Sequence, residues 1–176
     1  GLALGNMALQ YQRAGDRRRA SALLRRAIAL SRRGGNRTGV GHFLGTLAEL
    51  LHTSGQHADA LQAARESARV LLEVGSLAWL PLSLRTLARI CAHQGLWDEA
   101  DQALQRSGTV FERMHELREL APIQFGRALL QLAQGHVEPA RELWRSGTAL
   151  VKLHGPSVNN AEPEAEMRRR CTELGV

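Results

Sequence analysis

The strongest constraint on this chain is a repeat of 40 residues. One series of positions carries glycine: Gly15, Gly55, Gly95 and Gly135. Alanine follows five residues after each of them, and a second series lies halfway between: Gly35, Gly75 and Gly155, with His115 in place of the remaining glycine. Internal repetition at about 20 to 50 residues is typical of arrays in which each unit buries its apolar face against its neighbour. The sequence therefore predicts a stack of similar units.

Within each unit the apolar residues recur at helical spacing. In the first unit they fall three or four residues apart on both sides of Gly15: Leu4, Met7, Ala8 and Tyr11, then Ala20, Leu24, Ala27 and Ile28. This spacing is typical of amphipathic helices, and glycine between them tolerates the positive φ of a tight helix ending. We predict an all-α fold of paired helices, with these bounds: 2–14 and 17–33, 37–53 and 57–74, 77–93 and 97–114, 117–133 and 137–153.

Capping residues and prolines refine these bounds. Asn36 and Ser76 follow glycines of the second series and are predicted to cap the next helix. Pro81 and Pro122 lie five or six residues into their predicted helices, so we expect a kinked or delayed first turn there. Residues 155–160 are predicted to form a loop, and residues 162–174 a polar final helix that caps the array.

The small and large positions of the first unit resemble the tetratricopeptide repeat family. That family has small residues at 8 and 20, a large residue at 11, glycine near 15, a bulky residue at 24 and alanine at 27, matched here by Ala8, Tyr11, Gly15, Ala20, Leu24 and Ala27. The period differs, being 40 residues instead of about 34, which implies longer helices. Forty-residue forms are familiar in spindle-orientation adaptors and in bacterial signal-transduction ATPases, including LuxR-type transcription regulators. The amino-acid composition, rich in arginine and alanine, is more similar to that of the bacterial group.

The resemblance implies an α-α superhelix, a right-handed solenoid of four helical hairpins. The expected repeats are about 1–35, 36–75, 76–115 and 116–154, followed by a loop and capping helix over 155–176. Because the first repeat lacks the opening residues of the second, we expect the chain to be a fragment of a longer protein. Its first helix would then expose apolar surface, through which a homodimer could form.

Basic charge is concentrated at one end. Residues 1–37 hold nine arginines and one acid, Asp16, whereas the remainder of the chain is slightly acidic. A pair of adjacent arginines recurs every seven residues on the second helix. We call these six residues the arginine stripe: Arg18, Arg19, Arg25, Arg26, Arg32 and Arg33. The stripe is a solvated face, a contact for an acidic segment or another domain of the same protein, or a nucleic-acid surface. Nucleic acid is the least favoured, because no aromatic residue lies between Tyr11 and Phe43 for bases to stack on.

Signatures of catalysis, cofactors and metals are absent. The single lysine, Lys152, has no glycine-rich phosphate loop before it, and no His-Glu-x-x-His motif occurs. Cys91 stands at an apolar core position, and His52 and His57 straddle a turn, which argues against a zinc pair. We therefore expect a protein that is not an enzyme and holds no cofactor or metal. The chain carries no secretion signal or apolar membrane-spanning run, so we expect a cytoplasmic protein that makes no membrane contact.

By resemblance, the first helix of each pair lines a concave groove. The residues mapped to it are Asn6, Arg13, Thr46, Glu49, His52, Arg85, Arg89 and His93. Arg85 and Arg89, one turn apart, could hold a carboxylate or phosphate; alternatively they belong to an ordinary solvated face, paired with Glu49 or Asp101. An apolar groove end is predicted from three further residues: Phe125, Leu129 and Leu132.

The function predicted from these features is that of a non-catalytic protein-interaction or effector-sensing module. It would belong to a larger bacterial regulatory protein acting in signal transduction and transcription regulation. Its groove would bind a peptide, a protein segment or a small effector. The alternative function is a nucleic-acid-binding helical repeat that uses the arginine stripe.

Overall fold

Regular structure in the part of the chain that is described is entirely helical, as predicted. The structure is a computed structural model and describes residues 2–157, 165 and 169. The helices in this part are named in chain order: α1 (Leu2–Arg13), α2 (Arg17–Arg33), α3 (Arg37–Thr53), α4 (His57–Glu73), α5 (Leu80–His93), α6 (Trp97–Arg113), α7 (Leu120–Ala133) and α8 (Val137–His154). A short 3₁₀ turn, Leu117–Glu119, precedes α7. The predicted final helix, apart from residues 165 and 169, lies outside the described residues.

The chain divides into two compact units between Leu96 and Trp97. In the first unit, α1 packs against α2 and α3 against α4, while α2 also packs against α3 and α4 against α5. In the second unit, α7 packs against both α6 and α8. This boundary falls inside the predicted repeat 76–115, so the division into four equal repeats stays a prediction.

The repeated alanines let neighbouring helices approach closely. All of them are almost fully inaccessible to solvent: Ala8, Ala20, Ala48, Ala60, Ala88, Ala100, Ala128 and Ala140. Because a methyl side chain is small, it lets the backbones of two packed helices approach each other, and its burial removes apolar surface from water. Cys91, which the repeat pattern predicts to be a core residue, is likewise buried.

Backbone conformation at the turns follows the glycine pattern. Every glycine of the two series has positive φ, as expected, and His115 at the exceptional position has φ 57°. The turn at Gly15 is representative, since its amide donates to the Gln12 carbonyl and the Asp16 amide donates to the Tyr11 carbonyl. These bonds satisfy carbonyl groups at the end of α1 that have no partner within the helix.

Replacing His115 by glycine is expected to stabilise the protein by about 0.5 to 1 kcal/mol. A residue with a side chain in the left-handed region destabilises the folded state by about 1 to 2 kcal/mol. Glycine removes this strain, but its greater conformational freedom in the unfolded chain cancels part of the gain in stability. Urea unfolding would measure the change in the free energy of unfolding. The matched control is Gly95→Ala, at φ 73°, which should destabilise by about 1 kcal/mol. Equal effects of the two substitutions would contradict this account.

The beginnings of three helices test the predicted caps. Asn36 caps α3 as predicted, because its side chain accepts a hydrogen bond from the Gly39 amide at 2.8 Å. The prediction for Ser76 is wrong, since α5 begins at Leu80. Similarly, α7 begins at Leu120 and not at 117. The following prolines explain both delays, because a proline in the first helical turn removes no intrahelical hydrogen bond, whereas one farther inside does.

Candidate functional site

A cavity of about 150 Å³ lies between α3 and α5, with α4 beneath it. We call it the α3–α5 cavity. Residues of α3, α4 and α5, together with the turn before α5, line it: His42, Gly45, Thr46, Glu49, Ser67, Leu71, Trp79, Leu82, Ser83 and Thr86. Thr46 and Glu49 belong to the predicted groove set, so part of that set is brought together here.

Buried hydroxyl groups form the floor of the cavity. The Ser67 hydroxyl donates to the Gly41 carbonyl at 2.7 Å, and Ser67 Oγ lies 2.8 Å from Ser83 Oγ. Glycine on α3 makes this approach possible, because a Cβ atom on Gly45 would lie only 3.1 Å from Ser67 Oγ. The floor therefore joins three helices through satisfied hydrogen bonds, which favour one fixed arrangement.

One wall of the cavity is aromatic and aliphatic. The His42 ring lies 3.9 Å from the Trp79 ring, measured between centroids. Trp79 and Leu82 are 38% and 41% exposed, so both present apolar surface to solvent at the cavity. Burial lowers the pKa of His42, so this imidazole is neutral near pH 7. Sequence reasoning left Trp79 undetermined and missed Leu82; the available signal was an aromatic residue shortly before Pro81.

Charged residues form the rim. Arg89 Nη2 lies 2.8 Å from Glu49 Oε1, so the two helices are joined by an ion pair. This agrees with the alternative in which Arg89 belongs to a paired, solvated face. The arginine and glutamate side chains remain 49% and 44% exposed, and exposed pairs contribute only about 0 to 1 kcal/mol. A carboxylate from a ligand can therefore compete with Glu49 for Arg89.

The other predicted groove residues are distributed as follows. Arg85 is half-buried on α5, one turn before Arg89. His52 and His93 lie near the ends of α3 and α5, with ring centroids 4.9 Å apart. Asn6 and Arg13 are exposed on α1 and do not line the α3–α5 cavity. The predicted set is therefore divided between this cavity, the histidines beyond it and the separate surface of α1.

One residue of the predicted apolar groove end, Phe125, is buried and not part of a surface. Phe125 is 1% exposed, and its ring lies 4.8 Å from that of Trp144 between α7 and α8. Leu129 and Leu132 are partly buried against the same cluster. The physical reason is Gly147, whose missing side chain leaves the space that the Phe125 ring occupies. Phe125 therefore belongs to the core of this helix pair, whereas a groove-end role for the partly buried Leu129 and Leu132 stays a prediction.

An ion pair joins α7 to α6. Arg127 occupies a position where the repeat pattern calls for an apolar residue. Its Nε donates to Asp101 Oδ1 at 2.7 Å, and its Nη2 lies 3.3 Å from Asp101 Oδ2. The fork of the guanidinium thus joins α7 to α6. Asp101 is therefore the partner of Arg127.

Acidic residues of α4 lie opposite the arginine stripe. All six arginines of the stripe are exposed. Arg32 Nη2 lies 2.7 Å from Glu66 Oε1, and Arg37 pairs with Glu73. Hydrogen bonds from Arg69 and then Arg37 lower the pKa of Glu73. Sequence reasoning missed this acidic line, although Asp59, Glu66 and Glu73 repeat at the same seven-residue interval as the arginines.

The first helix exposes apolar side chains, as expected. Met7 and Leu9 on α1 are both large and exposed, while the homodimer expected from them stays a prediction. None of the helices in the described part of the chain combines the length and apolar character needed to cross a bilayer.

Comparison with known families identifies the repeats. A tetratricopeptide repeat profile matches residues 1–73, and a second profile of the same description matches residues 81–106 and 121–146. No curated protein sequence matches the chain.

Solved structures share the fold. The similar structures include BtubC (BKLC) from P. vanneervenii, which is 16% identical with a TM-score of 0.76 over 89% of this chain and 65% of that one. Aspartyl phosphate phosphatase F from Bacillus subtilis is 16% identical with a TM-score of 0.78 over 92% of this chain and 42% of that one. TPR-like repeats of a kinesin light chain from Podosopora anserina are 19% identical, with a TM-score of 0.78 over 98% and 86%. This chain spans less than two thirds of the first two proteins, and the likeness concerns the fold alone.

Proposed function

Because this chain belongs to the tetratricopeptide repeat family, whose domains are protein-interaction modules, we propose that its α3–α5 cavity binds a peptide segment of a partner protein. The module would serve a larger bacterial regulatory protein in the cytoplasm and perform no catalysis itself. The forty-residue period supports the regulatory assignment through its resemblance to bacterial signal-transduction ATPases and LuxR-type regulators. The observation that carries the proposal is the cavity with two exposed apolar side chains, Trp79 and Leu82, in its wall.

The lining of the cavity defines the chemistry of the peptide. A space of about 150 Å³ admits a single side chain and not a folded domain. Trp79, Leu82 and the neutral His42 favour an apolar side chain there, since burying it removes apolar surface of both partners from water. Thr46 and Thr86 offer hydroxyl groups to the peptide backbone at the edges. The proposed ligand therefore carries one apolar anchor residue.

The rim defines a second feature of the ligand. Arg89 forms an exposed ion pair with Glu49, and Arg85 lies one turn away on the same helix. A carboxylate on the peptide would exchange with Glu49 and gain a charge-assisted hydrogen bond. We therefore propose a peptide in which an acidic residue lies next to the apolar anchor.

Pairing within the protein argues against the nucleic-acid alternative. The acidic line of α4 faces part of the arginine stripe, as the Arg32–Glu66 ion pair illustrates. Phosphate groups would have to displace these carboxylates, and like charge would repel the nucleic-acid backbone. One arginine of the stripe is therefore paired with α4, and the other exposed arginines are proposed to be available to an acidic segment.

Trp79→Ala is expected to weaken peptide binding about 30-fold or more. An aromatic anchor at the centre of an interface typically contributes at least about 2 kcal/mol to the binding free energy. The measurement is fluorescence anisotropy with a labelled peptide selected from a displayed library against the unaltered protein. Leu72→Ala is the matched control, because Leu72 is also large and exposed in the same unit but does not line the cavity.

The charged rim supplies a second arm of this experiment. The double substitution Arg85→Ala and Arg89→Ala should weaken binding of peptides with an acidic residue and leave analogues with glutamine in its place unchanged. Circular dichroism would establish that each variant remains helical. Equal binding by the Trp79 and Leu72 variants would reject the cavity as the binding site, and an unchanged double variant would reject the acidic residue alone.

A further inference from the structure

Three histidines converge where α3 turns into α4 and α5 ends. His52 lies in the last turn of α3, His57 is the first residue of α4, and His93 is the last residue of α5. We call them the histidine cluster. Their ring centroids are 4.3 to 5.3 Å apart, and one nitrogen of each ring lies within 4.8 Å of the other two. The sequence argues against zinc only for His52 and His57, which straddle one turn. The third residue, His93, lies on a different helix, α5.

The nitrogen atoms of the cluster are available to a ligand. Nδ1 of His52 and Nδ1 of His57 are buried, and neither has a hydrogen-bond partner among the described residues. Buried polar atoms in proteins are nearly always paired, so two unpaired imidazole nitrogens in neighbouring rings require an explanation. A neutral imidazole offers a lone pair on one ring nitrogen, which is the atom that a metal ion binds.

The backbone around the cluster is fixed by hydrogen bonds. Gln94 Nε2 donates to the His57 carbonyl at 3.0 Å, which ties the end of α5 to the start of α4. The turn between His52 and His57 is closed by the Gly55 amide, which donates to the His52 carbonyl at 3.0 Å. The charged side chains facing His52 are Glu49 and Arg89, and they pair with each other. Hydrogen bonds thus fix the backbone that carries the imidazoles, as a preformed binding site requires.

We propose that the histidine cluster binds a zinc ion through one ring nitrogen of each histidine, with water at the fourth position. Imidazole nitrogen suits zinc and related transition metals, whereas magnesium and calcium require oxygen ligands. Tetrahedral zinc with bonds of about 2.0 to 2.1 Å holds its nitrogens about 3.4 Å apart. The rings therefore need to draw together by about 1 to 1.5 Å at most, and rotation of the exposed His93 supplies much of this movement.

Zinc at this position would join the α3–α4 turn to the end of α5. The Glu49–Arg89 ion pair lies one helical turn away from the cluster, so the same two helices form both the metal site and the walls of the α3–α5 cavity. The metal would set the spacing of those walls. The site is nevertheless defined by the histidines alone and does not depend on whether the cavity binds a peptide.

Isothermal titration calorimetry of the tag-free protein, after treatment with a chelator, tests the proposal with zinc chloride and, separately, magnesium chloride. We expect one zinc ion per chain, no magnesium binding, and a higher unfolding temperature with zinc only. His57→Asn and His93→Asn should each weaken zinc binding by about tenfold or more. His136→Asn is the control, because His136 is exposed and lies outside the cluster, with its ring Nδ1 3.0 Å from Gln131 Oε1.

A second measurement uses the unaltered protein, so its result does not depend on whether the histidine variants fold. Histidine-ring NMR signals should shift on addition of zinc for His52, His57 and His93 and remain in place for His115, His136 and His154, which lie outside the cluster and the cavity. Absence of these shifts, or zinc affinity that is the same in the His57 and His136 variants, would overturn the proposal. Binding of magnesium as strong as that of zinc would do so as well.

Discussion

Phe125→Ala is expected to lower the free energy of unfolding of the unit containing α6, α7 and α8 by about 3 to 5 kcal/mol. The side chain is 1% exposed, packs against the Trp144 ring, and lies in a cluster with the leucines of α7 and α8. Its removal costs the transfer free energy of the ring and leaves a cavity that rigid helices fill only in part. Urea unfolding followed by circular dichroism, and by fluorescence of a Trp79→Phe and Trp97→Phe background in which Trp144 is the remaining tryptophan, would measure the loss.

Gly147 supplies a test that distinguishes this packing from a general loss of apolar surface. A Cβ atom on Gly147 would lie 2.4 Å from Phe125 Cε1, so Gly147→Ala alone should destabilise by about 1 to 3 kcal/mol. In the Phe125→Ala background the added methyl group fits the vacated space. There the same change should become stabilising by up to about 1 kcal/mol, through helix propensity. Additive effects of the two substitutions would contradict direct packing of the ring on the glycine.

Gly41→Val is expected to destabilise the first unit by about 3 kcal/mol. A Cβ atom on Gly41 would lie 2.5 Å from Leu71 Cγ, and Leu71 is itself buried in α4. Because the clash involves the branch point of the leucine and not its flexible end, α3 and α4 would have to separate. Thermal and urea unfolding of the variant give the magnitude.

Gly108→Ala provides the matched comparison for Gly41. Gly108 also lies within a helix, but the nearest atom to its added Cβ is Ile123 Cγ2 at 3.6 Å, an ordinary contact. This change should stabilise by up to about 1 kcal/mol, since alanine favours helix over glycine. Destabilisation of similar size at both positions would mean that helix separation is not the cause. The Gly41 variant should also bind peptide more weakly, because the Gly41 carbonyl accepts the hydrogen bond from Ser67 at the cavity floor.

Features that depend on residues close in sequence were predictable. The spacing of apolar residues located all eight described helices, and the glycine series located the turns with positive φ. Asn36 was recognisable as a cap because its partner, the amide of Gly39, is three residues away. The delayed starts expected from Pro81 and Pro122 are confirmed, although the predicted bounds of these two helices were three residues too early.

Features that depend on the rotation of one helix against another were not predictable. Phe125 was assigned to a surface because its position on α7 is clear from the repeat, whereas the space above Gly147 is created only by α8. The α3–α5 cavity was predicted in part, through Thr46 and Glu49. Trp79 lies in the turn before α5, where helical periodicity does not predict which way a side chain points. His57 and His93 are 36 residues apart, and no spacing rule places them together.

The sequence by itself determined the helical hairpin, its forty-residue period and its turns, because hydrogen bonding and backbone φ are decided within a few neighbouring residues. The tertiary structure alone decided which side chains meet across the helices: Glu49 with Arg89, Asp101 with Arg127, and His52 with His57 and His93. The physical reason is that side-chain contact between helices depends on their separation and rotation to within an ångström or two. Those quantities are set by the packing of many residues at once, and no single stretch of the chain contains them.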